Sequence, residues 1–307
     1  MNLDISFIDR KTNVLTPSSL HCFRNGVVTI NPTQGCSHQC AYCYARGYRI
    51  YPGDQKVVIY QNLLNKLRKE LPRKRVLPKA VFFSTSCDAF QPVPQVLEVT
   101  YRIMELLLSH GIGVSFLTKG TIPRNFMALF EENSSLVNEK IGLITVNRRF
   151  QQVLEPYAAT PEKRLRNIEG LIDRGVYTEV RMDPVIPGLT DGEEILDDYF
   201  KTISECNVKS VIVNYLLLRN MIKRNLKKAF GLNGAYNRIF DLYEAGMTVE
   251  LKAENSRAFA LSPEYRRGKY DEIASIASRY NIKTHICGCK NSDVISNAIC
   301  SRMVDGS

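Results

Sequence analysis

Between Asn31 and Gly47 the chain reads NPTQGCSHQCAYCYARG, with cysteines at Cys36, Cys40 and Cys43. Thiolates are soft ligands that suit iron–sulfur clusters. Three of them at C-x3-C-x2-C can each hold one iron of a 4Fe-4S cluster from a single tight loop, which Gly35 lets turn. The fourth iron is then open to a ligand that can receive an electron. The alternatives are a zinc site or three unrelated buried thiols. Zinc sites more often join two C-x2-C units from separate loops, and no second C-x2-C is present.

A second group, Cys287, Cys289 and Cys300, lies near the other end of the sequence. Three cysteines this close could bind an auxiliary iron–sulfur cluster, whose unclaimed iron would bind substrate or surrender sulfide. Zinc completed by His285 or Asp293, or unligated thiols, are the competing readings. Cys87 stands alone on a different segment, and Cys22 and Cys206 read as core packing.

The composition bounds the rest. Nine cysteines without a visible secretory signal point to metal or redox chemistry rather than a disulfide framework, and to a cytoplasmic location. No apolar run approaches membrane-spanning length, so no membrane partner is expected. A net charge of +10 favours a phosphorylated or polyanionic partner. The charge concentrates in Lys66–Lys79 and Arg219–Lys228, which read equally as solvated faces.

Alternating strand and helix patterns carry these residues. Strands are expected at Val27–Ile30, Ala80–Phe83, Val114–Thr118, Ile141–Val146, Thr178–Met182 and Ser210–Leu216, and a helix near Gln55–Leu71. Val93–His110 reads as a helix closed by Gly111, and Thr160-Pro161 and Ser262-Pro263 read as helix starts. Such alternation demands a parallel sheet with right-handed crossovers. The expectation is an α/β fold, a partial (β/α)6 TIM-type barrel over residues 26–218. An N-terminal extension (1–25) precedes it, and a C-terminal helical, cysteine-containing region (219–307) follows. Chemistry then belongs at the C-terminal strand ends, where the cysteine loop, Lys119 and the residues after Thr145 all fall. Arg181, before Asp183-Pro184, reads as a ligand for a carboxylate or phosphate, or as half of an internal ion pair.

With those strand ends in view, the chain resembles the spore photoproduct lyase-like branch of the radical SAM superfamily over roughly residues 27–290. The residues that carry the resemblance are GCSHQCAYCY (Gly35–Tyr44), STSCDAFQP (Ser84–Pro92), Thr118-Lys119, Thr145-Val146-Asn147 with Glu155-Pro156, and TPEKRLRNIEG (Thr160–Gly170). It implies that Cys36, Cys40 and Cys43 ligate the cluster and that S-adenosylmethionine (SAM) chelates the open iron. SAM is then cleaved reductively to a 5'-deoxyadenosyl radical. Tyr42 would pack on the adenine, Lys119 and Thr145 would hold the SAM carboxylate, and Asn147 would orient the nucleoside. Thr85 aligns with the cysteine that donates hydrogen in the lyase and counts among the cofactor contacts. Cys87, two residues on, is the candidate donor in this chain.

The expected activity is hydrogen abstraction from a nucleotide or other phosphorylated small molecule, with substrate ligation or sulfur insertion at the second cluster. Lyase-like repair or modification of DNA is one alternative, and a non-catalytic, zinc-stabilised nucleic-acid-binding module is another. An electron donor such as flavodoxin or ferredoxin is required by the enzymatic readings.

Overall fold

The computed structural model describes residues 3–17, 26–231, 238–251, 256–288 and 290–294. In chain order the strands are β1 (Asp4–Ile8), β2 (Thr16–Pro17), β3 (Val27–Ile30), β4 (Thr33–Gln34), β5 (Lys56–Tyr60), β6 (Ala80–Phe83), β7 (Gly113–Thr118), β8 (Val137–Gly142), β9 (Tyr177–Val185), β10 (Ser210–Tyr215), β11 (Met247–Leu251), β12 (Ser256–Ala260) and β13 (Lys283–Ile286). The helices are α1 (Leu63–Glu70), α2 (Pro94–Ser109), α3 (Arg124–Glu132), α4 (Arg148–Leu154), α5 (Pro161–Ile172), α6 (Glu193–Glu205), α7 (Asn220–Phe230), α8 (Arg238–Asp241) and α9 (Pro263–Ser278).

One sheet organises the molecule, in the order β13-β10-β9-β8-β7-β6-β3-β2. Every pairing from β3 to β13 is parallel, and only β2 adds to the edge antiparallel. The apolar β6, AVFF, is buried throughout, as a strand covered on both faces must be. Helices pack outside it. Phe90 stacks on Phe116 of β7 with ring centroids 4.6 Å apart and meets Phe126 of α3 edge-on at 4.9 Å, so one aromatic cluster ties the loop after β6 to the helical layer. This is the partial barrel expected from the alternation, with the two edge strands left unpaired to each other.

Three elements differ from the sequence reading. The fourth strand is Val137–Gly142, not Ile141–Val146, because VNEKIG buries Asn138, Glu139 and Lys140 that a hydrophobic pattern passes over. The expected helix at Gln55–Leu71 begins only at Leu63; Lys56–Tyr60 is a strand instead, its β-branched Val57, Val58 and Ile59 favouring the pleat. The C-terminal region is not purely helical. It forms the β11–β12 hairpin and sends β13 back to pair with β10, extending the expected six parallel strands to seven.

A small sheet, β1-β5-β4, lies apart from the main one. Its β4 immediately precedes Gly35 and Cys36, and β1 runs parallel to β5 along its whole length. The first residues therefore brace the segment that leads into the cysteine loop. Among the described residues no helix is long and apolar enough to cross a membrane.

Candidate active site

The cysteine loop leaves β3 and turns at Gly35, where φ is +77°. A Cβ there would stand 2.4 Å from the Lys56 carbonyl oxygen, so only glycine fits against β5. Beyond the turn, buried hydrogen bonds pin the backbone. Ser37 N–H donates to Gln91 Oε1 at 2.9 Å, Gln39 Nε2 to the Cys36 carbonyl at 2.8 Å, and Ala41 N–H to the Leu154 carbonyl at 2.8 Å. With its backbone occupied this way, the loop presents Cys36, Cys40 and Cys43 to one pocket with about 690 Å3 of empty space. All three are free thiols.

The facing wall comes from the loops after β6 and β7. Thr85, Cys87, Asp88 and Lys119 line the same pocket as the three cysteines. Asp88 is the hub of that wall. Its carboxylate accepts from Phe90 N–H (2.8 Å), Thr118 Oγ1 (2.7 Å) and Lys119 N–H (2.8 Å), and it faces His38 Nδ1 of the cysteine loop at 3.3 Å. Burial would raise this carboxyl, but the attraction and hydrogen bond of His38, with the donors from Lys119 and Thr118, hold it below the usual carboxylate range. One ionised side chain thus joins the cysteine loop to the strand end that carries Lys119. Sequence reasoning passed over Asp88 as a functional residue, although it stands in the quoted STSCDAFQP.

The Lys119 side chain lies against Gly142, where an added Cβ would come within 3.0 Å of its Cγ. Its ammonium stands over the Tyr42 ring, 5.7 Å from the centroid, with no hydrogen bond or ion pair among the described residues. The Tyr42 hydroxyl donates to Glu155, which also pairs with Arg164 at 2.5 Å; both members of that pair are fully buried. Arg164 spends its other donors on the Gly142 and Ala159 carbonyls at 2.7 and 2.8 Å. Burial would raise the Glu155 carboxyl, yet Arg164 and Lys119, with hydrogen bonds from Arg164 and Tyr42, bring it below its ordinary value. This Tyr42–Glu155–Arg164 chain forms a rigid floor beneath Lys119. The available signal was the Glu155-Pro156 and Thr160–Gly170 motifs, which carried the resemblance without a role for either charge.

The other expected site residues sit differently. Thr85 accepts from Asn31 Nδ2 at 3.0 Å, and Cys87 Sγ lies within hydrogen-bonding reach of Ser84 Oγ (3.5 Å) and Asn31 Oδ1 (3.6 Å). Burial pushes the Cys87 thiol up, so it keeps its hydrogen. Tyr42 is buried on Glu155 and does not line the pocket. Neither does Thr145, whose hydroxyl accepts the Asn147 N–H, nor Asn147, whose Oδ1 caps α4 by accepting from Arg149 and Phe150 N–H. Arg181 forms the internal ion pair, 2.8 Å from Asp183, to which Lys290 also donates at 2.8 and 3.0 Å.

Cys287 follows β13 and is buried; it shares the C-terminal rim of the parallel strands with the first loop, but β13 is at the opposite end of the strand order from β3. Its carbonyl accepts from Asn291 Nδ2 at 2.9 Å. Cys289 and Cys300 lie outside the described residues, as does Cys22, whereas Cys206 is buried as expected of a packing residue. Asp293, considered as a zinc ligand, is instead paired with the buried Arg266.

The donor set fits an iron–sulfur cluster. Burial raises the Cys36 and Cys40 thiols, with carboxylate repulsion from Asp88 and Glu155 respectively adding to it, and metal binding has to displace their protons. A cluster takes each thiolate at its own iron.

The match to known proteins agrees with this geometry. Residues 30–199 match the family model described as "Radical SAM superfamily". The chain belongs to the radical SAM superfamily. This superfamily implies a 4Fe-4S cluster and SAM, and membership displaces the reading of a non-catalytic zinc module. An uncharacterised protein of Mycobacterium tuberculosis is 32% identical over 267 residues, covering 83% of this chain and 74% of the relative. A Pseudomonas phage M6 protein named radical SAM Nalpha-GlyT isomerase is 28% identical over 271 residues, covering 81% of this chain and 56% of its own length. In fold the chain is similar to spore photoproduct lyase solved with bound AdoMet and dinucleoside spore photoproduct. The TM-score is 0.69 at 11% identity, over 92% of this chain and 81% of that one.

Proposed function

We propose that Cys36, Cys40 and Cys43 hold a 4Fe-4S cluster, that SAM binds beside it with its carboxylate toward Lys119, and that the radical so formed abstracts hydrogen from a nucleotide or a nucleoside unit of DNA. The observation that carries this reading is the convergence of three free cysteines and one unpaired ammonium on a single pocket at the C-terminal strand ends. Cys36, Cys40 and Cys43 would hold the cluster, which when bound would supply the electron for cleavage of a SAM carbon–sulfur bond to methionine and a 5'-deoxyadenosyl radical.

The protein's own part is placement. Lys119 supplies a cation for the SAM carboxylate, a charge-assisted contact worth roughly 1.5–3 kcal/mol. The Glu155–Arg164 pair holds the Tyr42 ring over which that ammonium stands, and Asp88 ties the Lys119 backbone to the cysteine loop. Cys87, whose thiol burial pushes up, lines the same pocket and is the proposed donor of a hydrogen atom to a product radical, its sulfur becoming a thiyl radical. The proposed contacts of Thr145 and Asn147 with SAM lie outside the lining that Lys119 shares with the cysteines.

Support for a nucleoside-bearing substrate comes from the dinucleoside bound by the lyase of similar fold and from the +10 net charge. Flavodoxin or ferredoxin would supply the electron. A second cluster on Cys287, Cys289 and Cys300, with substrate ligation or sulfur insertion there, is the secondary reading. Its support is the position of Cys287 on the same rim as the first loop.

The test is anaerobic reconstitution followed by iron, sulfide and 5'-deoxyadenosine assays, with and without nucleoside substrates. About four irons lost in Cys36→Ala/Cys40→Ala/Cys43→Ala, together with all SAM cleavage, is the expected result. Retained SAM cleavage in that variant would refute the assignment. The second cluster predicts about eight irons in the wild type and about four in Cys287→Ala/Cys289→Ala/Cys300→Ala.

A further inference from the structure

The helix α7 lies beyond the residues matched by the family model and is basic along its exposed face. Its sequence, NMIKRNLKKAF, contains no acidic residue. Ile222, Leu226 and Phe230 are buried, while Lys223, Arg224, Lys227 and Lys228 are all exposed. The spacing i, i+1, i+4, i+5 gathers these four cations on one side. Such a face is ordinarily solvated, and what distinguishes this one is its neighbour.

The helix packs on the segment Tyr44–Gly47, which directly follows Cys43. Met221 Cε would lie 3.2 Å from a Cβ on Gly47, and Lys228 is close enough to Asp54, the partner of Arg46, to lower its carboxyl, though less than the hydrogen bonds of Tyr51 and Arg46 do. In that segment Tyr44 is exposed, lines the pocket, and stacks edge-on with Tyr48 at 5.7 Å; Arg49 and Ile50 beside it are exposed as well. A surface of cations mixed with aromatic and apolar side chains therefore begins one residue from a proposed cluster ligand. Four cations on one helix face beside exposed Tyr44 and Ile50 suit a protein partner of opposite charge that also offers apolar surface.

Resting on the cluster assignment above, we propose that the exposed face of α7, with Tyr44 and Arg49, docks an acidic electron-transfer protein that reduces the cluster. Charge complementarity selects the partner, and the exposed Tyr44, next in sequence to Cys43, brings that partner beside a proposed cluster ligand.

The test compares the wild type with Arg224→Glu/Lys228→Glu, which spares Lys223 and Lys227 over the Phe240 ring. Both reconstituted proteins would be driven by dithionite and, separately, by a flavodoxin kept reduced by NADPH and its reductase. Bleaching of the cluster absorbance on mixing with reduced flavodoxin provides a readout independent of turnover. The expected result is an unchanged dithionite-driven rate, with flavodoxin-driven bleaching and SAM cleavage slowed about tenfold and made less sensitive to salt. Equal flavodoxin-driven rates in the two proteins would overturn the proposal. So would loss of binding to a labelled DNA duplex with flavodoxin reduction intact, which would make this a nucleic-acid face. Failure of dithionite to drive SAM cleavage in the wild type would instead remove the cluster reading, and this proposal with it.

Discussion

Two strands of the same parallel sheet end in cysteine-bearing loops, β3 before Cys36 and β13 before Cys287, and their surroundings differ in kind. Around the first, buried hydrogen bonds are spent on the backbone through Gln91, Gln39 and Leu154, and the sulfurs face a pocket that also contains Lys119. Around the second, the polar groups bond to one another. Asn291 donates to Asn214 and to the Cys287 carbonyl while accepting from Arg266 and Tyr270, and Lys290 is held on Asp183. A loop built for a ligand leaves donors and charge uncommitted, whereas a loop built for the fold consumes them. Among the described residues the first loop faces a cation that forms no hydrogen bond or ion pair, whereas the charges beside Cys287 are paired.

The contrast is broken most sharply by the cysteines of the first loop. Cys40→Ala is expected to abolish SAM cleavage and cluster binding together, as read by iron content and 5'-deoxyadenosine yield. Next in size is the buried pair beneath Lys119. Arg164→Met leaves the buried Glu155 without its counter-ion and, among the described residues, with only the Tyr42 hydroxyl as a donor, a loss of roughly 3–5 kcal/mol of stability measurable by denaturant titration. Lys119→Met should keep the cluster but weaken SAM binding about 10- to 100-fold, from the loss of one charge-assisted contact. Titrating SAM into the reduced protein while following its paramagnetic resonance spectrum would measure that change.

How much of this was legible in the residues follows from the range of each interaction. The cysteine spacing, Lys119 at a strand end and the helix starts at Pro161 and Ser262 are local signals, and all reappear in the structure. The fourth strand was misplaced because Glu139 and Lys140 interrupt its apolar pattern, although both are buried. Asp88 gathers donors from Phe90, Thr118 and Lys119 besides His38, and Glu155 meets Tyr42 across 113 positions; neither partnership leaves a trace in spacing. The return of β13 to β10 was hidden for the same reason. Thr145 and Asn147 show the converse, since a family motif marked them while the structure uses their polar atoms on each other and on the cap of α4.

Two smaller effects sharpen the comparison from the second loop. Burial would raise the Asp183 carboxyl, but Lys290 and Arg181 lower it well below its ordinary value. A carboxylate with a depressed native pKa stabilises the fold fully above its unfolded value of about 3.9, and that contribution is lost as pH falls through the native one. Melting temperature should therefore fall more steeply on acidification below about pH 4 in the wild type than in Asp183→Asn. Smallest is Cys287→Ala, expected to cost about 1 kcal/mol in stability and leave SAM cleavage intact. A large loss of iron from that variant would return the second loop to metal chemistry.

The central claim rests on one assay, the yield of 5'-deoxyadenosine from SAM after anaerobic reconstitution and reduction with dithionite, in the wild type and in Cys40→Ala. The arrangement of Cys36, Cys40, Cys43 and Lys119 predicts 5'-deoxyadenosine and methionine in equal amounts from the wild type and none from the variant. No product from iron-loaded wild type, or equal product from both proteins, would contradict it.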